Sequence, residues 1–253
     1  MKEKWRIINM REDNAAMNMA IDEAILMCRA KGKVKNTLRF YTWNPSAISI
    51  GIFQNLEKEV EIEKVKKEGY DIVRRYTGGG SVFHDKELTY SIILSNDDIT
   101  GDILKSYEKI CNGIIRGLKK IGIQAEFKAI NDIIVNGKKI SGNAQTRKEG
   151  VVLQHGTVLT EVDIEKMFSL LKVPDEKLKD KMIKVASDRV TSINDELGHN
   201  VDLSVLASNL KQGLEDEFSV EFVYDKLSFE EEELARKLYD EKYSTKEWRE
   251  YRK

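Results

Sequence analysis

Apolar residues recur at helical spacing over residues 14–31, where Met17, Ile21, Ala24, Ile25 and Cys28 share one stripe and Asp22, Glu23 and Arg29 lie elsewhere around the helix. Residues 102–121 repeat the pattern with Ile103, Tyr107, Ile110, Cys111, Ile114, Leu118 and Ile121 inward. Both segments predict core-packing helices. Between them, TLRFYTWNPSAISIGIFQ is rich in β-branched and aromatic residues and is broken by Asn44-Pro45, which predicts two short strands around a turn. Residues 56–69 read as a polar helix ended by Gly69. Beyond the second apolar helix the pattern predicts strands to about Leu159 and mostly helices thereafter. Asp163 and Asp202 stand where N-caps belong, and Pro174 precedes a further helix start. Residues 229–253 read as strongly charged helix anchored by Leu234, Leu238, Tyr239 and Trp248, a small helical appendage.

Strands concentrated in the middle of the chain, with helices on both sides and no strict βαβ alternation, predict an α+β fold with a largely antiparallel sheet. At 253 residues the chain suits one domain, 1–253, long enough to bury a substantial core. Its 42 basic and 43 acidic residues nearly cancel, so no overall field argues for nucleic acid or a membrane surface. The N-terminal MKEKWRIINMRED lacks an apolar signal core, and no apolar run approaches the ~18 residues that span a bilayer, which predicts a cytoplasmic location. Cys28 and Cys111 are the only cysteines, with no CxxC and no clustered histidines, so neither a disulfide framework nor a zinc site is indicated.

The most informative segment is DIVRRYTGGGSVFHDKELTYSIIL, Asp71 to Leu94. Arginines can fork onto phosphate or carboxylate oxygens, and Gly78, Gly79 and Gly80 let backbone N–H groups approach the same anion. A tight hairpin would explain one of these glycines but not three. The strand-loop-strand setting and the absence of GxxxxGK[ST] exclude the P-loop and Rossmann sites, which need a helix N-terminus. Arg74 and Arg75 are strand neighbours and point to opposite faces. Arg75, nearer the glycines, is expected to face the site, and Arg74 to make a surface or partner contact. His84 reads equally as a hairpin histidine or a substrate-positioning one.

Asn131 to Leu159 carries the second signal. Asn136-Gly137 is a two-residue hairpin turn, which sets Val135 opposite Lys138, Ile134 opposite Lys139, Ile133 opposite Ile140 and Asp132 opposite Ser141. Ile133, Val135 and Ile140 then face the core, and Lys139 shares the other face with Asp132 and Ser141. A lysine, a carboxylate and a hydroxyl there can hold a metal-bound triphosphate or a substrate carboxylate; taken alone they read as an ordinary solvated Lys-Asp pair, and the glycine segment tips the reading to the functional one. In VVLQHGTVL, His155 lies among apolar neighbours and reads first as a core histidine, second as a substrate contact.

RRYTGGGSVFHD (Arg74 to Asp85), NDI (Asn131 to Ile133) and KKISGNAQ (Lys138 to Gln145), in this order and separation, resemble the catalytic domain of lipoate-protein ligases within the biotin and lipoate ligase group. ARKLYDEKYSTKEW (Ala235 to Trp248) is similar to the end of that domain in archaeal-type ligases. The resemblance implies a mixed sheet flanked by helices, like the core of class II aminoacyl-tRNA synthetases. It implies a two-step reaction: lipoate or octanoate attacks Mg-ATP to give an acyl-adenylate, and a lysine of an acceptor protein then takes the acyl group. Acceptors would be apo lipoyl domains of 2-oxoacid dehydrogenase E2 subunits or the glycine cleavage H protein. By the same resemblance Arg75 would bind ATP, and Gly78, Gly79, Gly80, Ser81, Val82 and Phe83 would wrap the adenylate. Asn131 and Asp132 would contact nucleotide or, for Asp132, magnesium; Lys139 would be catalytic, bridging the carboxylate and α-phosphate.

The chain ends at Lys253, whereas single-chain bacterial ligases continue into an accessory domain, so the resemblance also implies a separate accessory-domain protein as partner. SGNAQTRKEGVVLQHGTVL also resembles cysteine-dependent octanoyl and lipoyl transferases of the same fold. Those need a thiolate near the lysine, and the KAI segment before Asn131 carries no cysteine. The sequence therefore favours an ATP-dependent ligase. An ATP-independent acyltransferase is the second reading and a catalytically silent lipoate binder the third.

Overall fold

The structure, a computed structural model, describes residues 2–99, 101–173 and 175–252. Among the described residues eleven strands follow one another: β1 (Glu3–Asp13), β2 (Thr37–Trp43), β3 (Ala47–Ile50), β4 (Asp71–Arg74), β5 (Val82–His84) and β6 (Glu87–Ser95), then β7 (Glu126–Lys128), β8 (Asp132–Val135), β9 (Lys138–Lys148), β10 (Val151–Leu159) and β11 (Val220–Asp225). Eight of them form one sheet in the order β11-β1-β2-β6-β10-β9-β8-β7. The pairs β11–β1 and β1–β2 are parallel and the rest antiparallel, so the sheet is mixed and largely antiparallel, as the strand distribution predicts. A second sheet, β4-β3-β5, carries the segment leading into and out of the glycine loop.

Helices cover both faces of the large sheet because its strands bury side chains on both. On one face Phe40, Tyr90, Ile92 and Val152 pack against Ile110, Ile114 and Leu118 of helix Ile103–Lys120 and Leu206, Leu210 and Leu214 of helix Leu203–Phe218. These two helices approach closely through glycines. A Cβ on Gly213 would fall 2.2 Å from the Gly117 backbone nitrogen. On the other face Ile21, Ala24 and Ile25 of helix Ala15–Ala30 meet Ile93, Val151 and Leu153. Asn14, Asp102, Asp163 and Asp202 each accept a hydrogen bond from a first-turn amide, and for Asp163 and Asp202 these are the N-caps the sequence predicts. Pro174 lies outside the described residues; the helix after it, Glu176–Arg189, is capped by Asp175.

Three expectations change. Residues 56–69 form two short helices, Leu56–Glu59 and Ile62–Lys67, because Val60 leaves the helix to bridge Leu171. Residues 229–252 are not an appendage: Ala235 and Tyr243 are buried against helix Ala15–Ala30 and its surroundings, and Tyr243 Oη donates to Glu23 at 2.6 Å. The Asn136-Gly137 hairpin pairs Val135 with Lys138 and Ile134 with Lys139 as expected, then slips. Ile133 faces Ser141 and Asp132 faces Gly142, because a bulge leaves Ile140 as the extra residue of β9.

Candidate functional site

Both sheets wall a cavity of about 370 Å³. Met19, Tyr41, Trp43, Leu159, Val162, Ile164 and Met167 give it an apolar side. The opposite character comes from Ser49, Arg75, His84, Glu87, Lys139, Asn143 and His155. A mostly apolar concavity with a few converging polar groups is the ordinary form of a small-molecule site, and the volume falls in the range of about 300–1,000 Å³ typical of them.

Arg75 stands at the end of β4, where the strand hands over to the glycine loop. Its Nη1 donates to Ser49 O at 3.2 Å and Ser49 Oγ at 3.0 Å, and its Nη2 to Gly78 O at 2.8 Å and Gly80 O at 2.7 Å. The loop thus turns two carbonyls inward onto the guanidinium. Burial pulls the Arg75 pKa down to about 10, so the group stays charged near neutrality. Gly79 has φ 94°, open to glycine without strain, and its carbonyl lies where a Cβ on Gly51 would sit, at 2.2 Å. Gly79, Gly80, Ser81, Val82 and Phe83 line the cavity, whereas Gly78 does not.

Arg74 is not a surface or partner contact. It is fully buried, and its guanidinium donates to the carbonyls of Gly51, Gln54, Trp248 and Arg249. The alternation that turns Arg75 to the cavity turns Arg74 to the C-terminal segment.

Lys139 pairs with Asp132, Nζ to Oδ1 at 2.7 Å, and lines the cavity half-exposed. The bulge puts Gly142 opposite Asp132, and a side chain there would collide with Lys139, its Cβ 2.7 Å from Nζ. Ser141 is buried and outside the cavity lining, so the expected triplet of lysine, carboxylate and hydroxyl is a pair. Asn131 lines the cavity, but its side chain clamps β9: Nδ2 donates to Asn143 O at 2.5 Å. Among the described residues no three His, Cys, Asp or Glu side chains gather as a metal-binding group, and Asp132 pairs with Lys139.

Two buried histidines flank Arg75. His155 Nε2 is 2.7 Å from Thr77 Oγ1 and its Nδ1 3.4 Å from Asp22 Oδ2. Burial pushes the His155 pKa below its ordinary value against the pull of Asp22. Burial would raise the Asp22 carboxyl, but Arg39 at 2.7 Å, with His155 and Ser91, leaves it lowered. His84 Nε2 lies 2.7 Å from Ser49 Oγ, and its Nδ1 2.6 Å from Glu87 Oε1. The ring is stacked on Trp43 at 3.9 Å, and Thr89 Oγ1 donates to the same Glu87 oxygen at 2.8 Å.

Ser49, Glu87, Trp43, Thr77 and Asp22 escape the sequence reading. The spacing of His84 and Glu87 across a two-residue turn carries a local signal. Ser49 arrives from a separate strand, and Asp22 from a helix that reads only as core. Neither cysteine lines the cavity: Cys28 and Cys111 are buried, and burial pushes the Cys111 thiol up to about 12.

A mixed sheet flanked by helices, with a glycine loop and a lysine hairpin over one cavity, is the arrangement of the lipoyl protein ligase class. The chain belongs to the lipoyl protein ligase A/B catalytic domain family, whose model matches residues 14–215. Octanoyltransferase LipM of Clostridioides difficile is 40% identical, the match covering 97% of this chain and 98% of the relative. Among solved structures, a bipartite lipoate-protein ligase of Thermoplasma acidophilum, described with its E2 lipoyl domain, matches with TM-score 0.90 at 32% identity over 99% of this chain and 98% of that one. A lipoate-protein ligase A bound with ATP matches with TM-score 0.85 at 32% identity, covering 98% of both chains.

The chain is an enzyme of this ligase and octanoyltransferase family. The expectation of an ATP-dependent ligase is overturned by the full-length likeness to octanoyltransferases, at higher identity than to either ligase structure. RRYTGGG and KISGNAQ belong to the shared fold, so they identify the family and not the reaction. Among the described residues no helix is long and apolar enough to cross a membrane.

Proposed function

We propose that this chain is an acyltransferase that moves an octanoyl group from an activated thioester to the ε-amine of a lysine on a lipoyl-domain acceptor protein. The observation that carries the reading is the 40% identity, over 97% of the chain, to an octanoyltransferase. The lipoyl domain as acceptor follows from the Thermoplasma acidophilum system, whose ligase is described with an E2 lipoyl domain. ATP and magnesium have no part in this reading, because a thioester arrives already activated.

The cavity supports the chemistry. Its apolar wall, Met19, Tyr41, Trp43, Leu159 and Met167, suits a medium-length acyl chain, and burying it contributes about 0.8 kcal/mol per methylene. Lys139, held by Asp132, and the charged Arg75 set two fixed positive groups beside the cavity. When an amine or another nucleophile adds to the acyl carbonyl, negative charge develops on its oxygen, and such groups stabilise that charge more than they stabilise the ground state. Octanoyl-loaded acyl carrier protein mixed with the chain and an apo lipoyl domain, without nucleotide, tests the reading. The acceptor is expected to gain the mass of one octanoyl group. An acceptor modified only when ATP and the free acid are supplied would overturn it.

A further inference from the structure

We propose that Ser49 carries the acyl group, as an oxygen ester, between the thioester donor and the acceptor lysine, with His84 as its base and Glu87 as the partner that orients the imidazole. The proposal rests on the transferase reading above. Transfer through a covalent intermediate needs a nucleophile in the cavity; all three candidates are buried, but Ser49 lines the cavity and neither cysteine does. Ser49 lies in the cavity wall on β3, with Oγ 2.7 Å from His84 Nε2, and His84 Nδ1 is 2.6 Å from Glu87 Oε1. Nucleophile, base and orienting carboxylate are therefore in consecutive hydrogen-bond contact.

The donors and acceptors set the direction of the relay. Arg75 Nη1 can only donate, so at 3.0 Å it occupies a lone pair of Ser49 Oγ and leaves the hydroxyl hydrogen for His84 Nε2. The Glu87 carboxylate can only accept, so His84 Nδ1 carries the hydrogen on that side. Nε2 is then the free base facing the hydroxyl. Trp43, stacked on the ring with an interplanar angle of 17°, fixes its plane, and Thr89 fixes the carboxylate. Glu87 Oε2 is buried with no hydrogen-bond partner among the described residues, which keeps the carboxylate's charge available to a protonated imidazole. The other hydroxyl-histidine pair, Thr77 with His155, is a weaker candidate. Thr77 is absent from the cavity wall, and the carboxylate behind His155 is already engaged by Arg39, Tyr41 and Ser91.

Ser49 Oγ attacks the thioester carbonyl carbon while its proton passes to His84 Nε2. The C–S bond breaks, and the departing thiolate takes that proton. In the second half, the neutral ε-amine of the acceptor attacks the ester carbonyl, the C–Oγ bond breaks, and His84 relays a proton from the amine to Oγ. No redox change occurs, and the cation of Arg75 stands beside the charge that forms in both halves.

Octanoyl N-acetylcysteamine is the donor for the test, and an apo lipoyl domain the acceptor. Intact mass and peptide mapping after acid quench are expected to show one octanoyl group on the Ser49 peptide, which leaves when acceptor is added. Ser49→Ala should lose the adduct and at least about a hundredfold of the transfer rate. Ser49→Cys should regain an adduct, now released by neutral hydroxylamine, which shows that the site is still folded. Transfer by the wild-type chain with no adduct, or at an unchanged rate in Ser49→Ala, would overturn the serine and leave the transferase reading standing. A wild-type chain that never acylates the acceptor from a thioester would overturn both.

Discussion

Adjacent arginines show how one residue's shift along a strand separates structure from chemistry. Arg75 meets the cavity and the glycine carbonyls, and Arg74 ties the backbone carbonyls of Gly51, Ile52, Gln54, Trp248 and Arg249 together underneath. Lys139→Ala, which removes a half-exposed cation and not a core contact, should cut octanoyl transfer by about a hundredfold while leaving the thermal midpoint within a few degrees. Steady-state rates and a melting curve check both halves. Cys111→Ala should keep the transfer activity, because the thiol is buried in the helix-sheet core and pushed up to about 12; a folded but inactive variant would restore a cysteine route. His155 has a pKa lowered by burial from an ordinary 6.5, so the unfolded chain takes up a proton there before the folded one does. Stability contributed by the neutral ring is therefore complete above the ordinary value and is lost as pH falls from it towards the lower, folded value. Urea midpoints should fall as pH drops below the ordinary value of 6.5, and less steeply in His155→Gln. Arg75, Lys139, His84 and His155 were legible from the sequence because charged or titratable residues stand out inside strands. Ser49 was not, since a serine in a buried strand carries no local mark and its meaning comes from a histidine thirty-five positions away.

At the scale of elements, most boundaries follow from capping and periodicity, while the exceptions follow from contacts between distant segments. The Asn136-Gly137 turn fixes two pairs and no more. The slip at Ile140 places Gly142 under Lys139, something that turn chemistry alone does not specify. Glycines set two further contacts. Gly213→Ala should destabilise the protein by about 1–3 kcal/mol, since the new methyl meets backbone atoms of Gly113 and Gly117 and neither helix can yield locally. Gly51→Ala should act differently: its Cβ would press on Gly79, displacing the loop that Arg75 braces, so transfer should fall more than stability does. Chemical denaturation measured beside transfer rates separates the two effects.

For the molecule as a whole, the fold class was readable because strands gather mid-chain and amphipathic helices bracket them. The C-terminal segment was misread as an appendage because its charged surface hides a few deep contacts, Ala235 and Tyr243 among them. The reaction was misread for a different reason. The glycine loop and the lysine hairpin build a cavity for an acyl group, and a ligase and a transferase of this family both need that cavity; what separates them is the state in which the acyl group arrives. The most direct measurement offers both states at once: deuterated free octanoate with ATP and magnesium, and unlabelled octanoyl-loaded acyl carrier protein, in one reaction with an apo lipoyl domain. The account predicts an acceptor carrying the unlabelled octanoyl mass. An acceptor carrying the deuterated mass would contradict it.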